Sequence, residues 1–528
     1  MKKFARIMTV LLALVMVLST LAACGETPAE TTPEETTKTP ETPKKPETTK
    51  KPDATKDPNA TEDPVVTTPE PESSNEETDP IDLEALLPEQ IELGVDMNIL
   101  VGYLYYDEWL EADDGEIVGT ELYGRVPRVE GRLGIELNVE LVKGTDETLY
   151  KDEVKKRHES TDPNMIAALT SGYSQYVGFM TTQGRFQNIA NSDAVDFESP
   201  WWPAGLVENS VIDDKIYFVS GDISPTLLYE IYAIFFNRVL IERYNIEDPI
   251  SLVNDHKWTI DKLISLTSDI YEDLDKTKTG PSYGDFFAFN INDGAHYKAF
   301  PFAMGIRVII PDEDEGYVYS DSYLGEKMDV IADKIGNWVV NNPGVHAESE
   351  GFKDYCGGFV DGNVIFNLGN FANGSHYFAG KGVDYGVVPC PMYDEEQEDY
   401  HSYYGNPTSF WAIPTNTDLD NSALLLEYLA ADAYVYISPA LFERALKIKY
   451  VTGEVDGLSK MFDIIREGVV FDPCMFYNQL IGTTAYGGFA GITSVGGSWS
   501  TSFSDFVLKG MKNKLRNDVV GRLRNLEY

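Results

Sequence analysis

Between Met97 and Ile189 the chain alternates short apolar runs with longer amphipathic ones, and this alternation constrains the fold more than any other feature. "MNILVGYLYYDEW" (97–109) reads as a buried strand and the loop after it. "GTELYGRVPRVEGRLGIELNVELVKG" (119–144) reads as a helix, interrupted near Pro127, and then a strand. "LYKDEVKKRHES" (149–160) is helical and is broken by Asp162-Pro163. "MIAALTSGY" (165–173) gives a third strand, and "SQYVGFMTTQGRFQNI" (174–189) a helix and turn. The order β-α-β-α-β-α implies an α/β fold with a parallel sheet covered by helices. Ligands of such sheets sit beyond the carboxyl ends of the strands. That rule places Tyr105, Tyr106, Ser171 and Tyr173 along one rim.

The pattern continues further along. "VIDDKIYFVSGDIS" (211–224) reads as a hairpin turning at Asp213-Asp214-Lys215, and "LLYEIYAIFFNRVLIERYNIEDP" (227–249) as a long strand running into a helix. "KWTIDKLISLTSDI" (257–270) is a helix starting near Thr259 or Asp261, and "YGDFFAFNINDG" (283–294) an apolar strand with a polar end. A strand and helix follow at 316–344, and strands at 357–371 and 384–394. A helical pair is expected at 421–450 and another helix from Leu458 to Glu467. "PDEDEG" (311–316) lacks the third acid and the closing Glu of a calcium loop, so it reads as a solvated turn.

The first eighty residues have a different character. Lys2, Lys3 and Arg6 precede an uncharged run from Ile7 to Ala23, as in a secretory signal. Leu21-Ala22-Ala23-Cys24 resembles a bacterial lipobox, which implies removal of 1–23 and lipidation of Cys24. One acyl chain anchors marginally; the diacylated cysteine that the resemblance implies anchors stably. Residues 24–80 are rich in Thr, Pro, Glu and Lys and contain no aromatic residue. Such a segment cannot offset the entropy of ordering, so a disordered tether is expected. At ~3 Å per residue it reaches on the order of 150 Å when stretched. A short lead-in helix is expected at 82–90.

The net charge of −44 repels nucleic acid and anionic lipid and suits neutral or cationic ligands. Apart from Cys24 the thiols are Cys356, Cys390 and Cys474, so at most one disulfide can form among them. There is no CxxC, P-loop, dinucleotide fingerprint, HExxH or GxSxG. No catalytic residue, metal or cofactor is therefore expected, although two carboxylates across a cleft would suffice for a glycosidase.

Taken in order, "NMIAALTSGYSQYVGFMTTQGRFQNI", "SPWWP", "IDDKIYF", "YAIFFNRVLIERYNIEDP", "KWTIDKL", "DYGVVPCPMYDEEQEDYHSYYGN" and "FWAIPTNTDLDNSALLLEYLA" resemble the family 1 extracellular solute-binding proteins, the maltose-binding-protein-like lipoprotein components of ABC importers. The resemblance implies a two-lobed, periplasmic-binding-protein-like (type II) fold with discontinuous lobes and a hinge. Lobe 1 would span 81–235 with part of 385–430 returning to it, and lobe 2 236–384; 431–528 would be a C-terminal helical part. Crossovers are implied near 232–237 and 384–391. The implied cleft residues are Ser171, Gly172 and Tyr173 after the third strand, with Glu230 ahead of the crossover and Asp293 after the "FN" strand. They continue with Phe371 in "LGNFANG", Tyr404 in "HSYYGN" and Tyr477 in a late loop, and Tyr105 and Tyr106 join them from the first rim. Phe371 stands where the family's stacking Trp would be, and the charged residues after the third strand are missing, which departs from the maltose pattern. In "SPWWP" packing is favoured over a sugar platform for Trp201 and Trp202; Trp258 and Trp411 also read as packing.

The function implied is non-enzymatic: an extracytoplasmic, lipid-anchored receptor that delivers a small solute, a sugar or oligosaccharide, to ABC permease subunits. The alternatives are the same fold binding a peptide or cationic solute, and a surface glycan-binding or glycoside-hydrolysing lipoprotein.

Overall fold

The alternating runs that open the folded part supply three strands, β1 (Asp96–Gly102), β2 (Glu136–Val142) and β3 (Leu169–Tyr173), of a four-stranded sheet completed by β12 (Ser409–Ala412) in the order β12-β3-β1-β2. In the computed structural model the described residues are 83–102, 108–110, 113–142, 147–274, 276, 281–282, 284–292, 296–348, 352–378, 380–442, 457–482, 499 and 505–526, all within the second of the chain's two units, Thr78–Tyr528. Strand β1 (Asp96–Gly102) is followed by helix α1 (Ile117–Leu133), β2 (Glu136–Val142), α2 (Glu147–His158), β3 (Leu169–Tyr173) and α3 (Ser174–Thr181). Both β2 and β3 pair with β1 in parallel, as the alternation requires.

Helix α1 runs through Pro127 instead of breaking there. Its buried stripe of Val118, Leu122, Arg125, Val129 and Leu133 holds both halves against the sheet, and this packing outweighs one lost backbone bond. Arg125 is fully buried. Its guanidinium lies 4.7 Å from the Trp109 ring centroid and 5.8 Å from that of Trp411. Its Nη2 donates to the carbonyls of Ile223 (2.9 Å) and Leu429 (3.2 Å).

The lead-in expected at 82–90 is a short 3-10 turn at Leu83–Leu86. The hairpin expected at 211–224 is reduced to a tight turn in which Ile212 bridges Lys215 and Asp213 and Asp214 take positive φ. The segment after it bridges elsewhere, Val219 to Trp411. "LLY" belongs to the short helix α4 (Pro225–Tyr229) rather than to a strand, since Pro225 at the first helical position favours a helical turn.

The second sheet has six strands, with path β11 (Tyr385–Val388), β4 (Tyr232–Asn237), β10 (Val364–Asn370), β6 (Phe286–Asn292), β5 (Tyr271–Glu272), and β9 (Val345–Glu348) added on β6. Along the chain it contains β4 (Tyr232–Asn237), helix α5 (Ile260–Thr267), β5 (Tyr271–Glu272) and β6 (Phe286–Asn292). A small hairpin of β7 (Ile309–Asp312) and β8 (Gly316–Tyr319) turns through the acidic run, where Asp312 accepts from the amides of Asp314 and Glu315. Then come α6 (Glu326–Asn341), β9 (Val345–Glu348), α7 (Phe352–Val360), β10 (Val364–Asn370) and β11 (Tyr385–Val388). "GGFV", expected in a strand, forms the end of α7; the chain reverses at Gly362, whose φ of 78° suits glycine, before β10 starts. Helix α5 starts in the expected place, and Thr259 caps it by accepting from the Lys262 amide.

The chain then returns to the first sheet through β12 (Ser409–Ala412), antiparallel to β3. Of the helical pair expected at 421–450, the described part is one continuous helical run, Leu419–Phe442, within which α8 (Leu419–Asp432) leads into a π turn at Ala433–Ile437; 443–450 lie outside the described residues. Its apolar window is 78 % buried, so it is a core helix. Helix α9 (Leu458–Glu467) and the short α10 (Pro473–Phe476) follow. Cys356, Cys390 and Cys474 are all buried and free.

Trp258 is wholly buried, donates to the Pro389 carbonyl (2.8 Å) and packs on Phe366. Trp258→Ala is expected to cost about 3–5 kcal/mol in urea unfolding. Trp258→Phe, which keeps most of the packing, should cost clearly less.

Candidate functional site

The chain passes from the smaller to the larger sheet between β3 and β4, and back between β11 and β12. The two connections lie side by side. The amide of Tyr232 donates to the Tyr403 carbonyl and that of Gly405 to the Glu230 carbonyl, each at 2.8 Å. A third segment joins them: Ser402 N donates to Gly468 O (2.8 Å) and Val470 N to Ser402 O (2.9 Å). The carboxyl ends of β6 and β10, and the Glu230 turn before β4, meet at this junction, because Tyr232 at the start of β4 pairs with Asn370 at the end of β10. On the other sheet the carboxyl end of β3 faces the start of β12, Tyr173 opposite Ser409.

Glu230 is 3 % exposed and accepts from Asn370 Nδ2 at 3.0 Å. Phe371 is buried; its amide donates to the Ile231 carbonyl (3.2 Å), and its ring packs on Phe235 and Phe462. Tyr404 bridges Ile231, and its ring packs against Tyr403 and Phe471. The structure thus gathers Glu230, Phe371 and Tyr404 around one junction. Ser171 and Gly172 lie inside β3 opposite Trp411 and Phe410. Gly172 is required there: a Cβ would come within 2.2 Å of the Tyr150 ring. Tyr173 is half-buried at the rim, edge-on to Tyr176 at 4.9 Å. Tyr477 is buried near Phe218, which in turn packs on Phe410, so it joins the β3 side of the site. The rings of Phe371, Tyr404 and Tyr477 face other rings, while Tyr173 keeps part of its surface open. Tyr105, Tyr106, Asp293 and Cys24 lie outside the described residues.

Two polar groups escaped the reading of the sequence. In the larger sheet His346 Nδ1 donates to Asn290 Oδ1 and Asn290 Nδ2 to Asn367 Oδ1, both at 3.0 Å. His296 lies edge-on to Tyr232, and burial pushes its imidazole down to about 3, so the ring is neutral at physiological pH. Asparagines set into the apolar strands "FAFNIN" and "VIFNLGN" were the available signal. In the smaller lobe Glu108 is buried and accepts from Thr226 and Ser409, a contact that no motif announced.

The tryptophans read as packing are buried. Trp201 and Trp202 donate their indole N–H groups to the two oxygens of Glu427, at 3.1 and 2.9 Å. Two cavities border the crossing segments, one of about 390 Å³ lined by Trp202, Ile231 and Arg466 among others, and one of about 500 Å³ lined by Asn209, Arg307 and Val469 among others. Among the described residues no cluster of His, Cys, Asp or Glu is arranged to hold a metal ion.

No protein-family model and no curated protein matches the chain. Solved structures do match. A cyclo/maltodextrin-binding protein complexed with maltotetraose is 15 % identical with a TM-score of 0.51, over 79 % of this chain and 97 % of that one. The GacH receptor of Streptomyces glaucescens, solved unliganded and with acarbose, is 14 % identical with a TM-score of 0.49, over 83 % and 100 %. The galacto-N-biose/lacto-N-biose I-binding protein of a Bifidobacterium longum ABC transporter is 13 % identical with a TM-score of 0.49, over 82 % and 99 %. The fold is the two-lobed α/β fold of the extracellular solute-binding proteins, as the maltodextrin-binding structure shows.

The Glu427 carboxyl is raised from 4.5 to about 7, chiefly because burial disfavours its charged form, while the two indole bonds oppose the shift. The folded state therefore holds this proton more tightly than the unfolded chain does. The resulting stabilisation is complete below about pH 4.5 and is lost as the pH rises through about 7. Calorimetry should show the wild-type Tm falling relative to that of Glu427→Gln across this window. Parallel curves would mean that the carboxyl is not shifted.

Proposed function

We propose that the protein is the solute-binding receptor of an ABC importer and captures a sugar or oligosaccharide between its lobes. The supporting observation is the junction itself. On a solute-binding fold it brings Glu230, Asn370 and the rim at Tyr173 toward the same crossing segments. Carboxylate, amide and hydroxyl groups satisfy sugar hydroxyls, and an aromatic face covers the apolar side of a pyranose. We assign direct contacts to Glu230, Asn370 and Tyr173, together with Asp293 from the family resemblance and Tyr105 and Tyr106 from their place beyond the end of β1 in the sequence. Ser171, Gly172, Phe371, Tyr404 and Tyr477 shape the floor and walls. Closure is a rotation about the three crossing segments. We further propose that residues 1–23 are removed, that Cys24 carries the lipid anchor on the extracytoplasmic face, that 24–80 is the tether, and that the protein delivers its solute to permease subunits without chemical turnover.

A cationic solute is the second reading, favoured by the net charge of −44. Thermal-shift titration of the full-length chain with maltotetraose, lacto-N-biose, peptides and polyamines separates the two. The expected result is a rise in Tm with one saccharide class and no hydrolysis, and an affinity about tenfold or more weaker in Glu230→Gln. A response to polyamines or peptides alone removes the sugar. Glycan cleavage removes the receptor.

A further inference from the structure

One buried carboxylate ties together three segments that border the proposed cleft. Glu108 follows β1 and is 4 % exposed. Its Oε1 accepts from Thr226 Oγ1 at 2.6 Å, from Ser409 Oγ at 2.5 Å and from the Thr226 amide at 3.3 Å. Thr226 begins α4, whose C-cap residue is Glu230. Ser409 begins β12 and pairs with Tyr173. The two donors are themselves joined, since the Ser409 amide donates to Thr226 Oγ1 at 3.0 Å. The Ser409 carbonyl accepts from Ser220 and Ser224, and Ser224 also receives the indole N–H of Trp411. Arg125, held over Trp109, supplies positive charge to this side of the sheet without reaching Glu108 as an ion pair.

Resting on the solute-binding reading above, we propose that Glu108 is a positioning residue for the cleft. By accepting three hydrogen bonds at one oxygen it fixes the start of β12, and with it the Tyr173 rim, relative to the helix that sets Glu230. Three donors converging on one buried acceptor leave few alternative arrangements, and removing the acceptor strands all three at once. The role needs the acceptor oxygen and not the charge, because every partner is a neutral donor. Glu108 itself touches no solute.

The test uses Glu108→Ala and Glu108→Gln in the full chain. Amide hydrogen exchange without ligand is read in two peptides, one covering 226–232 and one covering 408–411. In the alanine variant exchange should rise in both peptides together, while the glutamine variant, which keeps a carbonyl acceptor, stays close to wild type. Affinity for maltotetraose should fall about tenfold or more in the alanine variant and stay within about threefold in the glutamine variant. Exchange that rises only beside residue 108, or a glutamine variant that behaves like alanine, overturns the proposal. If the alanine variant does not fold, Ser409→Ala replaces it and should raise exchange in 226–232. If wild type binds no saccharide, the sugar reading fails, and the ligand-free exchange result alone decides the role of Glu108.

Discussion

The backbone hydrogen bonds among 230–232, 402–405 and 468–470 are the constraint on which the rest of the unit depends. Each sheet is assembled from pieces far apart in sequence: β12 sits beside β3, and β11 beside β4. The chain must therefore cross between the sheets more than once. Each crossing would expose unpaired amides and carbonyls at a buried point, which is costly. Laying the crossings side by side lets them satisfy one another. The same arrangement fixes where polar side chains can be kept, because the strand ends that meet there are the ends beyond which α/β sheets hold ligands.

Glu230 bonds to Asn370 at the end of β10, and the next residue, Ile231, lines the 390 Å³ cavity. Protein interiors are packed densely, so a void of this size leaves room for side chains to shift. The Asp222–Arg466 pair, with N···O at 2.8 Å, borders that void and ties the first lobe to the helix leading into the third crossing.

Much of this architecture was legible from local pattern. The parallel order of β1, β2 and β3 followed from the alternation of runs, and the start of α5 near Thr259 and the turn at "PDEDEG" from local chemistry. The errors share a cause: tertiary packing overrode a local signal. Pro127 did not stop α1, because the buried stripe on both sides of it is anchored to the sheet. The turn at Asp213-Asp214 did not extend into a hairpin, because Val219 found its partner in Trp411, far along the chain. "GGFV" looked extended from composition, yet Gly358 lies against Val364, and the helix brings it there.

The site was less legible than the fold for a related reason. Residue type reveals which side chains can hold a solute, but not which of them the core will claim. Phe371, Tyr404 and Tyr477 have the chemistry of a stacking surface, and each is taken up by neighbouring rings. Glu108, by contrast, carries no motif, and its partners lie 118 and 301 positions away. Contacts at such separations leave no periodic trace in a single sequence. What the sequence does show is a polar residue where an apolar one would be cheaper to bury, as with Asn290 and Asn367 inside strands of phenylalanine, valine and isoleucine. A buried polar group must find a partner, so each such residue signals a long-range contact whose other end the fold alone supplies.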